Sequence, residues 1–227
     1  LQPTSLFRHE PRDFAVRQFA FRQQRFGMEP QSPQPFHKPL NRRRALIEGA
    51  ARLFRTQGFD ATSTRDIAAA AGMHSGSPFY HFERKSALLH AVMDECMVLA
   101  LHSQKNALAL LPPSATARER LRVLVRHHFE ILLGPHSDFI PVMLYEGRSL
   151  SAEQQAAITE LRKTYEAPWV PVLQTLAKEG ALLADPDLAR LMILGALNWS
   201  VQWFNPHGPA SLSALTDQAL SLFLRTP

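Results

Sequence analysis

Residues 59–88 read FDATSTRDIAAAAGMHSGSPFYHFERKSAL, and this stretch holds two short helical patterns around a glycine. Ser63 belongs to the residue types that cap helix starts, and Asp66 places a carboxylate where the positive end of a helix favours one. Apolar Ile67 and the alanines after it then fall on one face. Gly72 provides the positive φ that ends such a helix. The pattern therefore predicts a helix between Ser63 and Gly72.

The residues after this glycine predict a second short helix that is polar on its outer side. Phe79 and Phe82 lie three residues apart and are expected to point inward. Tyr80 and His81 are then left facing outward or sideways. Two short helices joined by a glycine turn, with small polar residues at the start of the second, match a helix-turn-helix whose second helix enters the major groove of DNA. The alternative is an ordinary helical hairpin inside a core.

The stretch resembles the DNA-binding signature of TetR-family transcriptional regulators, in register from about Ala45 onward. The positions that match are Gly58-Phe59, Thr62-Ser63, Ile67-Ala68, Ala71-Gly72, Gly76-Ser77, Phe79, His81-Phe82, Lys85 and Ala87-Leu88. The sequence departs from the family pattern at His74, where a small polar residue is frequent, and at Pro78, where an aliphatic residue is usual. Proline is tolerated early in a helix because the first N–H groups are unpaired, so Pro78 fits a helix that starts at Ser75 or Gly76.

The resemblance implies a sequence-specific DNA-binding transcriptional regulator of the repressor type, which is not an enzyme. Ser63, Arg65 and Lys85 are expected to hold phosphates, the roles of Ser63 and Lys85 being implied by the resemblance. The full candidate set for double-stranded DNA is Arg42, Arg43, Arg44, Ser63, Thr64, Arg65, His74, Ser75, Gly76, Ser77, Pro78, Tyr80, His81 and Lys85. The three consecutive arginines either contact phosphates, which would offset their unfavourable place at a helix N-terminus, or form a solvated basic end.

The distribution of charge favours a polyanionic partner. The chain has 227 residues, a formal net charge of +5 and a sequence pI near 9.8. Residues 38–85 hold nine basic and four acidic side chains, whereas residues 86–227 hold eleven basic and thirteen acidic ones. The basic excess coincides with the predicted helix-turn-helix, as expected for DNA binding, and many solvated faces are also basic.

Several function classes find no support in the sequence. Cys96 is the single cysteine, which excludes an intrachain disulfide and fits a buried structural thiol. There is no His-Glu-x-x-His or Cys-x-x-Cys motif, and the adjacent His127 and His128 point about 100° apart on a helix. Neither a metal nor another cofactor is therefore expected. No apolar run reaches membrane-spanning length, and a cytoplasmic protein is the expectation.

Helical patterns continue through the rest of the chain, and no convincing strand pattern interrupts them. We predict an all-α fold, with an N-terminal three-helix helix-turn-helix DNA-binding domain at 40–85 and a larger helical effector-binding and dimerisation domain at 86–227. The helices are predicted at 40–58, 85–110, 115–133, 138–147, 151–179, 186–204 and 213–224. Pro168 and Pro171 are expected to kink the longest of these.

Residues 1–39 are rich in arginine, glutamine, phenylalanine and proline, and we predict a disordered N-terminal arm. Two interpretations remain open. Either the arginines of the arm contact DNA phosphates or a minor groove, or the arm has no function. Met28 also offers a later start, which would leave the residues before it outside the native protein.

In TetR-like proteins the second domain binds a small molecule and forms the dimer, and the resemblance implies both here. The helices at 186–204 and 213–224 are expected to pair with those of a second subunit, since the first is apolar nearly all round. A homodimer would place two recognition helices on the half-sites of a near-palindromic operator. No membrane partner is expected.

Candidate effector contacts are aromatic, sulfur-containing or polar residues of the middle helices, although residues of this kind are more often simply core. They are Met93, Met97, Phe129, Met143, Tyr145, Arg148, Tyr165, Trp169, Asn198, Trp199 and Trp203. The segments Tyr165-Glu166-Ala167-Pro168-Trp169 and Leu197-Asn198-Trp199, with Trp203 after them, are similar to the second domain of TetR regulators of lipid or steroid breakdown. Some of those respond to acyl-CoA thioesters, which implies a bulky, largely apolar effector.

Three functions remain to be separated. A ligand-responsive repressor predicts specific DNA binding that a small molecule abolishes. A DNA-binding activator or architectural protein, whose second domain only dimerises, predicts DNA binding that is indifferent to metabolites. A helical enzyme predicts turnover without sequence-specific DNA binding, and no residue set in the sequence supports it.

Overall fold

The computed structural model describes residues 39–74, 78–134 and 139–225 of the chain. These residues form helices and turns without a strand, which confirms the predicted all-α class. In chain order the elements are α1 (Pro39–Gln57), α2 (Thr64–Ala70), α3 (Pro78–His81), α4 (Lys85–Ala109), α5 (Ala117–Leu133), α6 (Phe139–Tyr145), a 3-10 turn (Gly147–Ser149), α7 (Ala152–Glu166), α8 (Trp169–Lys178), α9 (Pro186–Trp203) and α10 (Leu212–Phe223). The predicted arm lies outside the described residues, apart from Pro39.

Short-range signals in the sequence determine where several of these helices begin. Ser63, Thr116 and Ser151 each form a capping box, in which the cap side chain and the residue three positions later exchange hydrogen bonds with each other's backbone. Asp185 caps α9, and Pro186 follows in the first turn, where the missing N–H of proline costs nothing.

Two glycines set the path of the chain around α2. Gly58 and Gly72 have φ values of +83° and +67°, the left-handed conformation that glycine adopts without steric cost. Gly58 turns the chain after α1, and Gly72 turns it after α2. The predicted helix ends at both glycines are therefore confirmed.

One predicted helix is two helices in the structure. The pattern over 151–179 predicts a single kinked helix, but α7 ends at Glu166 and α8 begins at Trp169. Pro168 lies at the break because its ring has no room in a helix interior. Pro171 lies in the first turn of α8, where proline is tolerated, so it does not produce the predicted second kink. The predicted helix at 138–147 is likewise shorter and is followed by the 3-10 turn.

Two hydrophobic cores organise the described residues. The first core joins α1, α2 and the N-terminal half of α4 around Phe54 and Ile67, and it also takes up Val142 from α6. The second core joins α5, α8, α9 and α10 around the fully buried Trp169 and Leu124. α4 contributes to the first core and continues into the second domain, so no break in the chain marks a domain boundary there. The boundary predicted after residue 85 therefore stays a prediction. None of the described helices is long and apolar enough to cross a membrane.

Candidate nucleic-acid interface and effector site

The N-terminus of α2 is closed by hydrogen bonds between Ser63 and Asp66. The Ser63 hydroxyl accepts from the Asp66 N–H at 3.1 Å and donates to Asp66 Oδ2 at 2.6 Å, while the Ser63 N–H donates to the same oxygen at 2.9 Å. These bonds hold the pKa of the Asp66 carboxyl below its usual value. The predicted cap is confirmed, and the phosphate contact of Ser63 stays a prediction. Thr64 is half-buried and Arg65 is exposed.

The side of the structure formed by α3 presents an aromatic ring to solvent. Tyr80 is 89% exposed and lies edge-on to His81, with 5.3 Å between the ring centroids. α3 begins at Pro78, as expected for a proline that a helix start tolerates. Among the candidates before it, His74 is exposed, and those at 75–77 lie outside the described residues.

Basic side chains lie next to the end of α3. Arg42, Arg43 and Arg44 of α1 are exposed, and the Arg43 guanidinium lies 5.3 Å from the centre of the buried Phe82 ring. Stacking of this kind holds the cation in place while its outer N–H groups remain available to a ligand. Arg44 pairs with Glu48 one helical turn further on, at 2.9 Å. The surface beside α3 is therefore positively charged, as a DNA-binding surface requires.

Lys85 holds the loop between α1 and α2. Its ammonium donates to the carbonyls of Phe59 at 2.7 Å, Thr62 at 2.8 Å and Asp60 at 3.4 Å, and it lies 4.3 Å from the centre of the Phe59 ring. An ammonium has three N–H donors, and these carbonyls use all of them. The structure thus gives Lys85 a role that the sequence analysis did not assign. A phosphate would compete with the carbonyls, and the phosphate contact of Lys85 stays a prediction.

The second domain contains a chain of polar side chains that crosses four helices, which we call the Tyr165 chain. Its members are Ser103 in α4, His127 and His128 in α5, Tyr165 in α7 and Asn198 in α9. Ser103 Oγ lies 2.7 Å from His127 Nε2. Tyr165 Oη lies 3.3 Å from His127 Nδ1 and 3.1 Å from His128 Nδ1. His128 Nε2 lies 3.1 Å from Asn198 Oδ1.

One set of neutral tautomers satisfies every link of the Tyr165 chain if the Ser103 hydroxyl turns its single proton away from the Leu99 carbonyl, which lies 2.9 Å from it. In that set Ser103 donates to His127 Nε2, and the His127 Nδ1–H donates to the tyrosine oxygen. The tyrosine hydroxyl donates to His128 Nδ1, and the His128 Nε2–H donates to Asn198 Oδ1. Burial lowers the pKa of His128 to about 4 and also lowers the pKa of His127, while it raises the pKa of the Tyr165 hydroxyl. The Tyr165 chain is therefore uncharged near neutral pH.

A buried donor beside the Tyr165 chain has no hydrogen-bond partner in the part of the protein that the structure describes. It is Nε1 of Trp169, which is fully buried, and the Trp169 ring lies edge-on to His128 at 6.0 Å. Gln104, which is 2% exposed, lowers the pKa of the Tyr165 hydroxyl through a side-chain hydrogen bond, against the larger effect of burial. An unsatisfied buried donor costs roughly 1–3 kcal/mol, so this place favours a group that accepts hydrogen bonds.

The structure brings some of the predicted effector contacts together. Those at or beside the Tyr165 chain are Met97, Met143, Tyr165, Trp169 and Asn198. Phe129 packs with Trp169 in the second core, and Met93 belongs to the first core. Some of the interior candidates therefore line the polar Tyr165 chain and the apolar side chains around it. The others belong to the two hydrophobic cores. Cys96 is buried, and burial raises the pKa of its thiol to about 12, which agrees with the predicted structural thiol.

Four of the predicted effector contacts lie on the surface instead. Tyr145, Trp199 and Trp203 are 52%, 64% and 56% exposed, and Arg148 is exposed as well. Their contact with an effector stays a prediction, at positions that lie on the surface and not in the interior. For Trp199 and Trp203 the physical reason is that α9 is apolar on more than one face, and its composition does not show which face points inward.

The exposed apolar residues of α9 lie along one face, which we call the α9 outer face. It consists of Leu188, Leu191, Met192, Trp199 and Trp203. The last four follow Leu188 by three, four, eleven and fifteen residues, spacings that return each side chain to the same side of a helix. The exposed fractions of Leu188 and Met192 are 61% and 72%. At its end, the Gln202 amide donates to the Tyr145 hydroxyl, which joins α9 to α6.

The sequence analysis missed Ser103, Gln104, His127 and His128. The two histidines point in different directions from α5, yet a single hydroxyl on α7 reaches both. A signal for Gln104 was present, because it follows Met97 and Ala100 at the spacing of one apolar helical face and is buried with them. A polar residue in such a register marks a buried polar contact.

α3, the second helix of the helix-turn-helix, is exposed on a three-helix core, and a larger helical domain follows. This arrangement is that of a helix-turn-helix transcriptional regulator. Comparison with known proteins gives its family. Residues 46–92 match the bacterial regulatory proteins of the tetR family, and residues 114–226 match the tetracyclin repressor-like C-terminal domain. The HTH-type transcriptional repressor KstR2 of Mycolicibacterium smegmatis is 30% identical over 202 residues, which are 87% of this chain and 94% of that protein. The chain belongs to the TetR family.

Solved structures agree with this assignment. AibR in complex with isovaleryl coenzyme A and operator DNA is 28% identical with a TM-score of 0.73, and the match covers 80% of this chain and 97% of AibR. The ketosteroid transcriptional regulator KstR2 of Mycobacterium tuberculosis is 28% identical with a TM-score of 0.69, over 82% of this chain and 96% of its own. The TetR family consists of transcriptional regulators, so the hypothesis of a helical enzyme is rejected. The match to KstR2 confirms the resemblance to regulators of lipid or steroid breakdown.

Proposed function

We propose that this protein is a sequence-specific transcriptional repressor that a small, largely apolar effector releases from its operator. The observation that carries the proposal is the nearly complete exposure of Tyr80 on α3, in a domain whose first helix exposes Arg42, Arg43 and Arg44 and places Arg43 on the Phe82 ring just after α3. α3 would enter the major groove with Tyr80 and His81 towards bases or sugars, while the arginines at 42–44 and Arg65 contact phosphates. The repressor KstR2 and the operator complex of AibR support this reading.

The protein acts as a homodimer through α9 and α10. Large apolar side chains that are exposed along one helix face mark an interaction site, and a second copy of the α9 outer face would cover them. Leu222 of α10, which is 80% exposed, would add to the same interface. A twofold dimer presents two α3 helices to a near-palindromic operator. Trp199→Arg is expected to shift the sedimentation coefficient from dimer to monomer, and an unchanged coefficient would contradict this interface.

The effector carries an uncharged hydrogen-bond acceptor at the group that binds beside the Tyr165 chain. The unpartnered N–H of Trp169 is a neutral donor, the Gln104 amide beside Tyr165 is neutral, and the histidines near them are neutral too. A carboxylate buried against these neutral groups would have no paired cation among them, which is costly. A thioester or ester carbonyl meets the donors without that cost. Met97 and Met143 provide an adaptable apolar surround for an acyl chain.

Release follows from a shift between two arrangements of the dimer. An effector that binds one arrangement better than the other changes their populations by its difference in affinity, and by no more. In the arrangement that the effector favours, the two α3 helices no longer match successive major grooves. The AibR complex with isovaleryl coenzyme A supports an acyl-CoA thioester as the effector class.

The test is a titration of the purified full chain against duplex DNA from the region beside its own gene, with and without a panel of acyl-CoA thioesters and the matching free acids. Salt-sensitive specific binding that one thioester abolishes, and that its free acid leaves intact, is the expected result. Tyr80→Ala provides the matched control for the DNA side, because it should lose specific binding while the fold remains.

Other results would change the proposal in defined ways. Specific binding that no thioester disturbs would favour the activator or architectural alternative. Release by a free acid at the same concentration as its thioester would contradict the uncharged acceptor. If the protein does not bind this DNA, binding sequences would be selected from a pool of random duplexes. If that selection yields no sequence, the repressor proposal itself is overturned.

A further inference from the structure

Ser103, at one end of the Tyr165 chain, has a choice between a backbone acceptor and an imidazole. Its hydroxyl lies 2.9 Å from the Leu99 carbonyl and 3.2 Å from the Ala100 carbonyl of its own helix, and 2.7 Å from His127 Nε2. A hydroxyl has one proton, and its oxygen can accept a hydrogen bond at the same time. If the proton points to Leu99, the imidazole nitrogen has to be the donor, and His127 then carries its proton on Nε2.

This choice passes along the whole Tyr165 chain. With its proton on Nε2, His127 accepts through Nδ1 from the Tyr165 hydroxyl. The tyrosine oxygen then accepts from Nδ1–H of His128, whose Nε2 becomes an acceptor. The Asn198 amide supplies the donor for this nitrogen by a half turn that exchanges its oxygen with its NH2 group. We call this the reverse arrangement, and we call the one in which His128 donates to Asn198 Oδ1 the forward arrangement.

The reverse arrangement contains one more hydrogen bond than the forward arrangement. Both have the four bonds that link the members of the Tyr165 chain, and only the reverse arrangement keeps the bond from Ser103 to the Leu99 carbonyl. No proton is taken up or released between them, because each histidine and each hydroxyl holds one proton in either case. One neutral hydrogen bond corresponds to about a fivefold preference. The reverse arrangement therefore predominates in the free protein, and the forward arrangement stays accessible.

The direction of the Tyr165 chain decides which atom of the Asn198 amide faces away from His128. Asn198 is half-buried, and this second amide atom has no hydrogen-bond partner among the described residues. It is the oxygen, an acceptor, in the reverse arrangement and the NH2 group, a donor, in the forward arrangement. Trp169, whose buried N–H is unpartnered, lies edge-on to the same histidine. A group bound beside His128 in the reverse arrangement therefore meets a donor on Trp169 and an acceptor on Asn198.

We propose that Asn198 is a specificity-determining residue for the effector, and that Ser103 sets its preference through the Tyr165 chain. The proposal rests on the proposed function, because it names the chemical class that the effector site accepts. That class is an acyl thioester with a hydroxyl close to its carbonyl group. The carbonyl accepts from Trp169, and the hydroxyl donates to Asn198. A thioester with a ketone in place of the hydroxyl requires the forward arrangement, so it binds more weakly by the factor that favours the reverse arrangement.

The first measurement reads the tautomers of the two histidines directly and requires no effector. Nitrogen-15 NMR of the full-length protein with labelled histidine, near neutral pH, distinguishes protonated from unprotonated ring nitrogens. We expect His127 to be protonated on Nε2 and His128 on Nδ1, with the signals assigned by His127→Gln and His128→Gln. The opposite pair of tautomers would overturn the reverse arrangement, and with it the preference for a hydroxyl.

Ser103→Ala tests whether this end of the Tyr165 chain sets the direction. Ser103 is exposed, so water replaces its hydroxyl and serves either tautomer of His127. The bond that favours the reverse arrangement is lost, and both histidines should become mixtures of two tautomers. The matched control is Ser221→Ala, because Ser221 of α10 is exposed and donates to the Asp217 carbonyl at 3.0 Å in the same way. A His128 tautomer that ignores Ser103→Ala would overturn the transmission.

The second measurement compares matched 3-hydroxyacyl, 3-oxoacyl and unsubstituted acyl-CoA thioesters by isothermal titration. The wild type should bind the hydroxyl compound about fivefold more tightly than the ketone. Ser103→Ala should bring these two affinities close together, and Ser221→Ala should leave their ratio unchanged. The change in the ratio is the readout, because the two compounds also differ in hydration. If an amide N–H of the pantetheine arm met Asn198 instead, the three thioesters would bind alike and Asn198→Ala would weaken them equally, which would overturn the hydroxyl.

The two measurements separate this proposal from the proposed function. If no thioester binds, the effector class fails together with the proposed function, and the tautomers still support or overturn the two directions of the Tyr165 chain. If thioesters bind and release the protein from DNA, a ratio that Ser103→Ala leaves unchanged would overturn the role of Asn198 and Ser103 alone. The repressor and its acyl thioester effector would then remain.

Discussion

The helix-turn-helix and the Tyr165 chain are both built from polar side chains, yet they differ in how the sequence encodes them. The helix-turn-helix lies within one stretch of about thirty residues, its cap and its turn are local, and its functional side chains point to solvent. The Tyr165 chain takes its members from α4, α5, α7 and α9 and buries them. Residues that are close in the sequence can thus form a surface site, whereas an interior site exists only once distant helices have packed.

The first prediction contrasts one aromatic residue from each region. Trp169 is fully buried in the second core, and Trp169→Ala removes a large side chain whose site cannot collapse completely. We expect a loss of about 3–5 kcal/mol in the free energy of unfolding. Tyr80→Ala, at an exposed position, should change stability by less than about 0.5 kcal/mol and weaken specific more than non-specific DNA binding.

Urea unfolding at one fixed protein concentration measures both stabilities, because the proposed dimer would make stability depend on concentration. Fluorescence anisotropy with specific and random duplexes measures DNA binding. Equal losses of stability in the two variants would show that the buried and exposed regions do not differ as described.

The second prediction concerns the protonation of the buried region. The pKa of His128 is lowered by burial from 6.5 to about 4 in the folded protein. Between these values the unfolded chain binds a proton that the folded protein excludes, so stability is complete above pH 6.5 and falls as the pH decreases towards 4. The expected loss over this window is about 3 kcal/mol.

The pH dependence can be assigned to His128 by comparing two variants in urea unfolding between pH 4 and pH 7. His128→Gln removes the group with the strongly lowered pKa and should make the curve much less steep in this window, leaving the contribution of His127, whose pKa burial also lowers. His74→Gln, at an exposed site of the helix-turn-helix, should keep the wild-type slope. A curve that stays steep in His128→Gln would place the acid sensitivity elsewhere in the protein.

The third prediction decides between two roles of Lys85. The structure gives its ammonium three carbonyl partners in loop 58–62, so Lys85→Ala should destabilise the protein by about 2 kcal/mol, as expected for bonds to a charged donor. A phosphate contact predicts instead that the slope of log affinity against log salt falls by about one, equally for all DNA sequences. Lys85→Arg, which keeps the charge with a different geometry, controls for the loss of charge alone.

Local signals explain why the fold was predictable. The helix starts at Ser63, Ser151 and Pro186 and the end of α2 before Gly72 follow from caps, a proline and a positive φ. The break before α8 at Pro168 was predicted only as a kink. Proline restricts the backbone in the same way at a kink and at a break. Tertiary packing decides whether the residues after the proline continue the same helix or begin a new one.

The interior site could not be predicted because its contacts depend on which helix faces meet. Trp169 and Trp199 both lie in helical stretches rich in apolar residues, yet one is fully buried and the other is 64% exposed. His127 and His128 are 37 or 38 residues from the hydroxyl that joins them. The Glu146 carboxylate accepts a hydrogen bond from the Phe59 N–H, which is 87 residues away in the sequence. Periodicity identifies the helices and says little about the rotation of each helix in the bundle.

The last and smallest effect concerns Ser63, which belongs to the region that the sequence encodes locally. Ser63→Ala removes the acceptor for the Asp66 N–H, and the expected cost is about 1 kcal/mol of stability. Ser63→Asp keeps an acceptor at the cap but places a second carboxylate beside Asp66, so it should retain stability less well than Ser63→Thr. If Ser63 also holds a phosphate, Ser63→Ala should weaken binding to specific and random duplexes alike by more than its stability loss explains. Binding that is unchanged in anisotropy, with the full loss in urea unfolding, would confine Ser63 to its cap.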